Sequence, residues 1–162
     1  MELRAEADYP ASPDSVFALL CDKAFRSEVC VATHAIRHSV QVDLSPDGAT
    51  VRTTRVLPAE VPDFVRKFVG ETLEVVQTER WGGAEASGGR TGTVTVEVTG
   101  QPAGMEGVRR LEATTTGTHE SVSGDVRVRI PFFGSRIEPE IAAAIQAAIL
   151  KEGEVARRWL AG

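Results

Sequence analysis

At 162 residues the chain matches one domain at roughly 150 residues each, enough to bury about 70% of the surface its unfolded form exposes. Eighteen basic and 23 acidic residues give a net charge of −5 and a pI near 5.3, which argues against a nucleic-acid partner, because such grooves need clustered Lys and Arg. With 42% hydrophobic and 25% charged residues, disorder and fibrous repeats are excluded. The apolar stretch Ile141 to Leu150 is broken by Gln146 and is too short for a bilayer, so no integral membrane segment is expected. Met1-Glu2-Leu3-Arg4 is not a secretion leader, and cytoplasmic localisation is the expectation. Cys21 and Cys30 match no metal or redox spacing and read as small buried apolar residues.

Leu3, Ala5, Ala7 and Tyr9 alternate with charged residues, the period of a half-buried strand ended by Pro10. Ser12-Pro13-Asp14 supplies an N-cap, a first-turn proline and a first-turn acid for a short helix with Val16, Phe17, Leu19 and Leu20 inward. A second short helix is expected over Lys23 to Val31, burying Phe25, Val29 and Cys30. Strands then follow one another. Ile36 to Leu44 alternates, Ser45-Pro46-Asp47-Gly48 is a turn, and Thr50 to Leu57 is the next strand. Thr72 to Trp81 and Thr91 to Thr99 flank the glycine-rich loop Gly82 to Gly89. Gly100 to Gly107 reads as a turn, Val108 to His119 as a strand, and Val122 to Ile130 as the last strand. Short turns with no helices between most of these strands imply an antiparallel sheet.

The segment Val61 to Gly70 breaks this rhythm. Val61, Phe64, Val65, Phe68 and Val69 fall at helical spacing, with Pro62 fit to start a helix and Gly70 to end it. Such a helix serves either as a lid or as a fixed plug. A long final helix follows, in which Ser135 and Glu138 have capping-box spacing. Its apolar stripe includes Ile137, Ile141, Ala144, Ile145, Ala148, Ala156 and Trp159.

This order of elements, with Ala7-Asp8-Tyr9-Pro10-Ala11-Ser12-Pro13 entering the first helix, Trp81 ending a strand and Arg136 to Leu160 closing the chain, resembles the START-like superfamily. That superfamily is also called the polyketide cyclase/dehydrase and lipid-transport (SRPBCC) group. Pro62-Asp63-Phe64-Val65-Arg66-Lys67-Phe68-Val69-Gly70 and Val76-Gln77-Thr78-Glu79-Arg80-Trp81 look like an uncharacterised bacterial branch of it. The resemblance implies an α+β helix-grip fold spanning residues 1–162 as one domain. In it a curved antiparallel sheet of about seven strands carries two short helices after strand one and grips the long C-terminal helix. It also implies an apolar cavity between that helix and the sheet, in a superfamily that includes both carriers and enzymes.

Within that expectation, small Ala144 and Ala148 flanked by Ile141 and Ile145 leave room for a ligand or let the helix sit closer to the sheet. Glu152 falls in the same apolar stripe, as a polar anchor or, as the residue types favour, in an ion pair with an arginine. His38 points inward by strand parity, a position more often filled by a hydrogen-bonded core residue than by a base. Ligand contacts are expected from Phe64, Phe68, Trp81, Ile141, Ala144, Ile145 and Ala148, with His38, Gln77 or Glu152 fixing orientation. His34 and His38, four apart on an expected strand, stand ~13 Å from each other, too far to share a metal. Gly82 to Gly92 lacks the Lys-Ser/Thr of a phosphate loop, and no G-x-S-x-G occurs. No metal and no cofactor are indicated. The reading is a non-catalytic binder of an apolar or amphipathic, lipid-like or polyketide-like small molecule. The alternative is a cyclase/aromatase-type or hydratase-type enzyme that uses inward polar residues as acid and base.

Overall fold

The computed structural model describes residues 1–162. Strand β1 (Glu2–Tyr9) leads into helices α1 (Pro13–Leu20) and α2 (Lys23–Ala32), and β2 (Arg37–Ser45) and β3 (Gly48–Pro58) follow. Helix α3 (Asp63–Val69) precedes β4 (Thr72–Trp81), β5 (Arg90–Val98), β6 (Ala103–Ala113) and β7 (Thr118–Val128), and α4 (Gly134–Leu160) ends the chain. The seven strands form one antiparallel sheet in the order β1-β7-β6-β5-β4-β3-β2. The pair α1–α2 therefore carries the chain from one sheet edge to the other, and β2 to β7 return as a meander. Helix α4 lies over the inner face, packed against β1, β7 and α2. This is the expected α+β helix-grip architecture.

Local chemistry explains the elements. Ser12 Oγ accepts the Ser15 N–H at 3.2 Å and Asp22 Oδ1 accepts the Phe25 N–H at 2.9 Å, so α1 and α2 both start on side-chain caps. The β2–β3 hairpin pairs Ser45 with Gly48, where any side chain would strike the Trp81 carbonyl (a Cβ would lie 1.9 Å from its oxygen).

Three boundaries differ from the sequence expectation. Strand β6 begins at Ala103, so Gly104 and Gly107 lie inside a strand and not in a turn. They are glycines because the neighbouring backbones approach closely: a Cβ on Gly107 would lie 2.2 Å from the Ser123 carbonyl oxygen. The turn after β6 falls at 114–117, within a threonine run that reads as strand by propensity alone. Finally, α4 begins at Gly134 with no side-chain cap, leaving Pro139 inside the helix, and the Ser135–Glu138 capping box does not form. Glu138 Oε1 instead accepts the Val128 N–H at 3.1 Å, tying the helix to the end of β7.

Candidate functional site: a cavity floored by buried charges

Between the sheet and α4 the interior holds a cavity of about 440 Å³. Its walls are apolar: Leu57, Val75, Val94, Val96, Met105 and Val122 from the sheet, and Ile137, Ile141, Ile145 and Ile149 from α4. Helix α3 and the residues before it add Val61, Val65 and Val69, while α2 adds Val29 and Cys30. Exposed lining residues His34, Glu60, Glu140, Ala144 and Ala147 mark where it meets solvent, on the side bounded by α2, α3 and α4.

Its inner end is polar and closed. Glu79 on β4, Arg109 on β6, Glu120 on β7, Arg26 on α2 and Glu152 on α4 are all buried and bonded to one another. Arg26 donates to both Glu79 oxygens at 3.0 and 2.9 Å, to Glu152 at 2.9 Å, and through Nε to the Leu20 carbonyl at 2.6 Å. Arg109 donates to Glu79 at 2.9 Å, to Glu120 at 2.5 Å and to Glu152. Tyr9 Oη donates to Glu120 at 2.8 Å, Trp81 Nε1 to Glu79 at 2.9 Å and Gln77 Nε2 to Glu79 at 2.7 Å. Arg26, Gln77, Arg109 and Glu152 border the cavity; Glu79, Glu120, Tyr9 and Trp81 stand behind them.

The protonation states follow from this geometry. Burial works to raise the Glu79 carboxyl pKa, but the two guanidinium groups outweigh it and hold it down to about 2. Burial, and after it the charges of Glu120 and Glu152, pushes the Tyr9 phenol far up, so it stays a donor. Burial lowers Arg26 and Arg109, yet their carboxylate partners raise both above the ordinary arginine value. Glu79 is therefore ionised, and the cluster's three carboxyl groups are committed to two arginines.

The expected site residues fall into two groups. Gln77, Ile141, Ala144, Ile145, Ala148 and Glu152 line the cavity. Phe64, Phe68, Trp81 and His38 do not. Residues Val61, Val65 and Val69 take the inner face of the α3 segment. Phe68 is left 82% exposed, and Phe64 packs on Phe133 outside (ring centroids 5.3 Å apart). Trp81 is buried in the packed cluster around Leu20 and Phe25, edge-on to Phe17 at 5.8 Å. His38 shares its sheet face with Arg55, its cross-strand partner, so its parity is inward. Strand β2 is a sheet edge, however, and His38 remains exposed. His34 is not on a strand; it sits past the end of α2 with φ 66° and lines the cavity. Cys30 is buried beside the cavity and Cys21 is half-buried, both as free thiols.

Sequence reasoning missed Arg26, Arg109, Glu79 and Glu120. The signal was present: Arg26 shares a helix face with Val29 and Cys30, and Glu79 shares strand parity with Gln77 and Trp81. Arg55, also missed, is the remaining buried arginine of the lining.

A curved seven-stranded antiparallel sheet gripping a long helix is the START-like helix-grip fold. The chain belongs to the family described as "Protein of unknown function (DUF2505)", whose model matches residues 4–160. No curated protein matches the chain in sequence. Solved structures similar to it include TTHA0849 from Thermus thermophilus, with 16% identity and a TM-score of 0.66 over 99% of this chain and 97% of that one. A STAR-related lipid transfer protein fragment from Xanthomonas axonopodis matches at 14% identity and TM-score 0.63, covering 99% of this chain and 86% of that chain. The Zhui aromatase/cyclase from Streptomyces sp. R1128 matches at 12% and 0.62, with 99% and 92% covered. At these identities the likeness shows the fold alone.

Proposed function

We propose that the protein binds an apolar or amphipathic small molecule, lipid-like or polyketide-like, in the cavity between the sheet and α4, without transforming it. The observation that carries this reading is the cavity itself. At about 440 Å³, with mostly apolar walls and one open side, it falls in the range of roughly 300–1,000 Å³ typical of small-molecule sites. Interiors normally pack to a density of about 0.75, so a void of this size is not the default outcome of folding. The lipid-transfer neighbour supports the same reading.

The aromatase/cyclase neighbour supports the alternative, an acid–base enzyme. Proton transfer needs a carboxyl or imidazole free to exchange a proton with substrate. Glu152, the cavity's inner carboxylate, is instead shared by Arg26 and Arg109, and His38 lies outside the lining. The lining's other such groups, His34, Glu60 and Glu140, stand exposed at its solvent side and not against its interior. That favours binding. The chain contains no helix long and apolar enough to cross a membrane, and its two cysteines are unpaired, which fits a reducing cytoplasm.

Native mass spectrometry of protein purified from its own host, followed by displacement with an anilinonaphthalene-sulfonate probe, tests the reading. A co-purifying small molecule, or saturable probe uptake by the emptied protein, is expected. A protein that carries nothing and takes up neither this probe nor a fluorescent fatty acid overturns it.

A further inference from the structure

Arg55 is buried to 9% exposure on the inner face of β3, among the residues lining the cavity. Unlike Arg26 and Arg109, it forms no ion pair. Its Nη1 donates to Thr33 Oγ1 at 3.2 Å; its Nε is buried without any acceptor, and its Nη2 donates to nothing. A guanidinium does not lose its proton in proteins, so an interior position without an acceptor is a standing penalty. Burial accordingly draws the Arg55 pKa below the ordinary value.

The charges around it explain how it stays there. Three carboxylates against two guanidinium groups leave the neighbouring cluster one negative charge in excess, and Glu152 favours the Arg55 cation across the gap. Arg26 opposes it, and the Cys30 thiol beside it is kept protonated by its own burial. The cluster thus offsets the burial of Arg55 at a distance and leaves its donors free. Nε–H and one Nη2 N–H run parallel along one edge of the guanidinium; Nε is covered, so Nη2 is the donor that a carboxylate oxygen in the cavity reaches.

We infer that Arg55 is the acid-binding residue of the cavity, and that the ligand is an amphipathic monocarboxylic acid. Its carboxylate accepts from Nη2 of Arg55, and its apolar body lies along Leu57, Val75, Val96 and Ile141. The inference rests on the cavity-binding reading and names its ligand class.

The experiment compares cis-parinaric acid with its methyl ester, two fluorescent probes that share one apolar body and differ in charge, by direct titration. The native protein is expected to bind the acid about ten- to a hundredfold more tightly than the ester, the usual effect of a charge-assisted hydrogen-bonded pair. Arg55→Gln should abolish that preference, while Arg55→Lys, which keeps the charge, should keep part of it. If the native protein binds the ester as tightly as the acid, the Arg55 assignment is overturned and the cavity reading stands. If it binds neither, the cavity reading falls and takes the assignment with it. The native acid-to-ester ratio decides the matter even if Arg55→Gln does not fold.

Discussion

Toward the C-terminal end of α4, Val155 and Ala156 are buried to 0% and 1% exposure among Tyr9, Leu20, Phe25, Trp81 and Leu111, and Gly153 brings the helix close to β1. Two to four turns earlier, Ala148, Ile145 and Ile141 on the same helix line the cavity opposite Val75, Val94 and Val96. Both ends use aliphatic side chains on a helix over a sheet. The difference lies in what covers them: α1 and α2 close over the first end, and only the short α3 stands near the second. The charge cluster forms the boundary between the two. A single helix can therefore be a core element over half its length and a cavity wall over the other half.

The sharpest way to break this division is to open the cluster. Arg109 serves three carboxylates, so Arg109→Met leaves buried negative charges facing one another. Losing one member of such a network costs about 3–5 kcal/mol, a large share of a domain's stability. Expression as a poorly folded protein, or a thermal midpoint lowered by roughly 2–4 °C per kcal/mol, is the expected result. A midpoint within a degree of the native one would show that the cluster does not organise the boundary.

The same cluster sets an acid limit. The folded Glu79 pKa of about 2 lies below the ordinary 4.5, so between those values the unfolded chain binds more protons. The stability this carboxylate contributes is complete above about pH 4.5 and is lost as the pH falls through 2. Urea midpoints measured from pH 5 down to pH 2 should therefore decline for the native protein and decline less for Glu79→Gln. Parallel curves for the two proteins would remove Glu79 from the acid transition.

One substitution made twice on α4 compares the two ends directly. Ala156→Leu forces a larger side chain into a filled core and should cost about 1–3 kcal/mol. Ala148→Leu adds the same atoms where space exists, so the thermal midpoint should hold or rise while probe uptake falls. Equal destabilisation by both would mean that the cavity end is as tightly packed as the other.

Much of this was legible in the chain. Period-two alternation located most strands, and the three- and four-residue stripe of α4 placed Ile141, Ile145, Ala148 and Glu152 on the face that meets the cavity. Parity and periodicity say which way a side chain points, not what lies over it. His38 has the inward parity and is exposed because nothing covers the sheet edge. Phe64 and Phe68 suit the buried face of a helix by composition, yet the smaller Val61, Val65 and Val69 occupy it, since α3 turns about its axis to meet the cavity. The cluster was the hardest feature to foresee. Its members come from six segments far apart in sequence, and each charged residue taken singly has solvent as its expected surroundings.

The smallest expected effect concerns how the cavity opens. Helix α3 has seven residues, no side-chain cap, and Val65 as its single buried residue, whereas β7 pairs with neighbours on both sides along its length. Helices this short are marginal without tertiary support, and α3 buries little. Amide exchange in α3 should therefore be governed by local opening and run faster than in the centre of β7, where exchange follows global unfolding. A ligand that fills the cavity contacts Val61, Val65 and Val69 from beneath, so saturating the protein with a bound probe should slow exchange in α3 and leave β7 unchanged. Phe68→Ser, on the exposed face, should leave stability within about 0.5 kcal/mol of native. Exchange in α3 as slow as in β7 and indifferent to probe would make the helix a fixed plug. The route to the cavity would then run between α2 and α4, past His34 and Ala147.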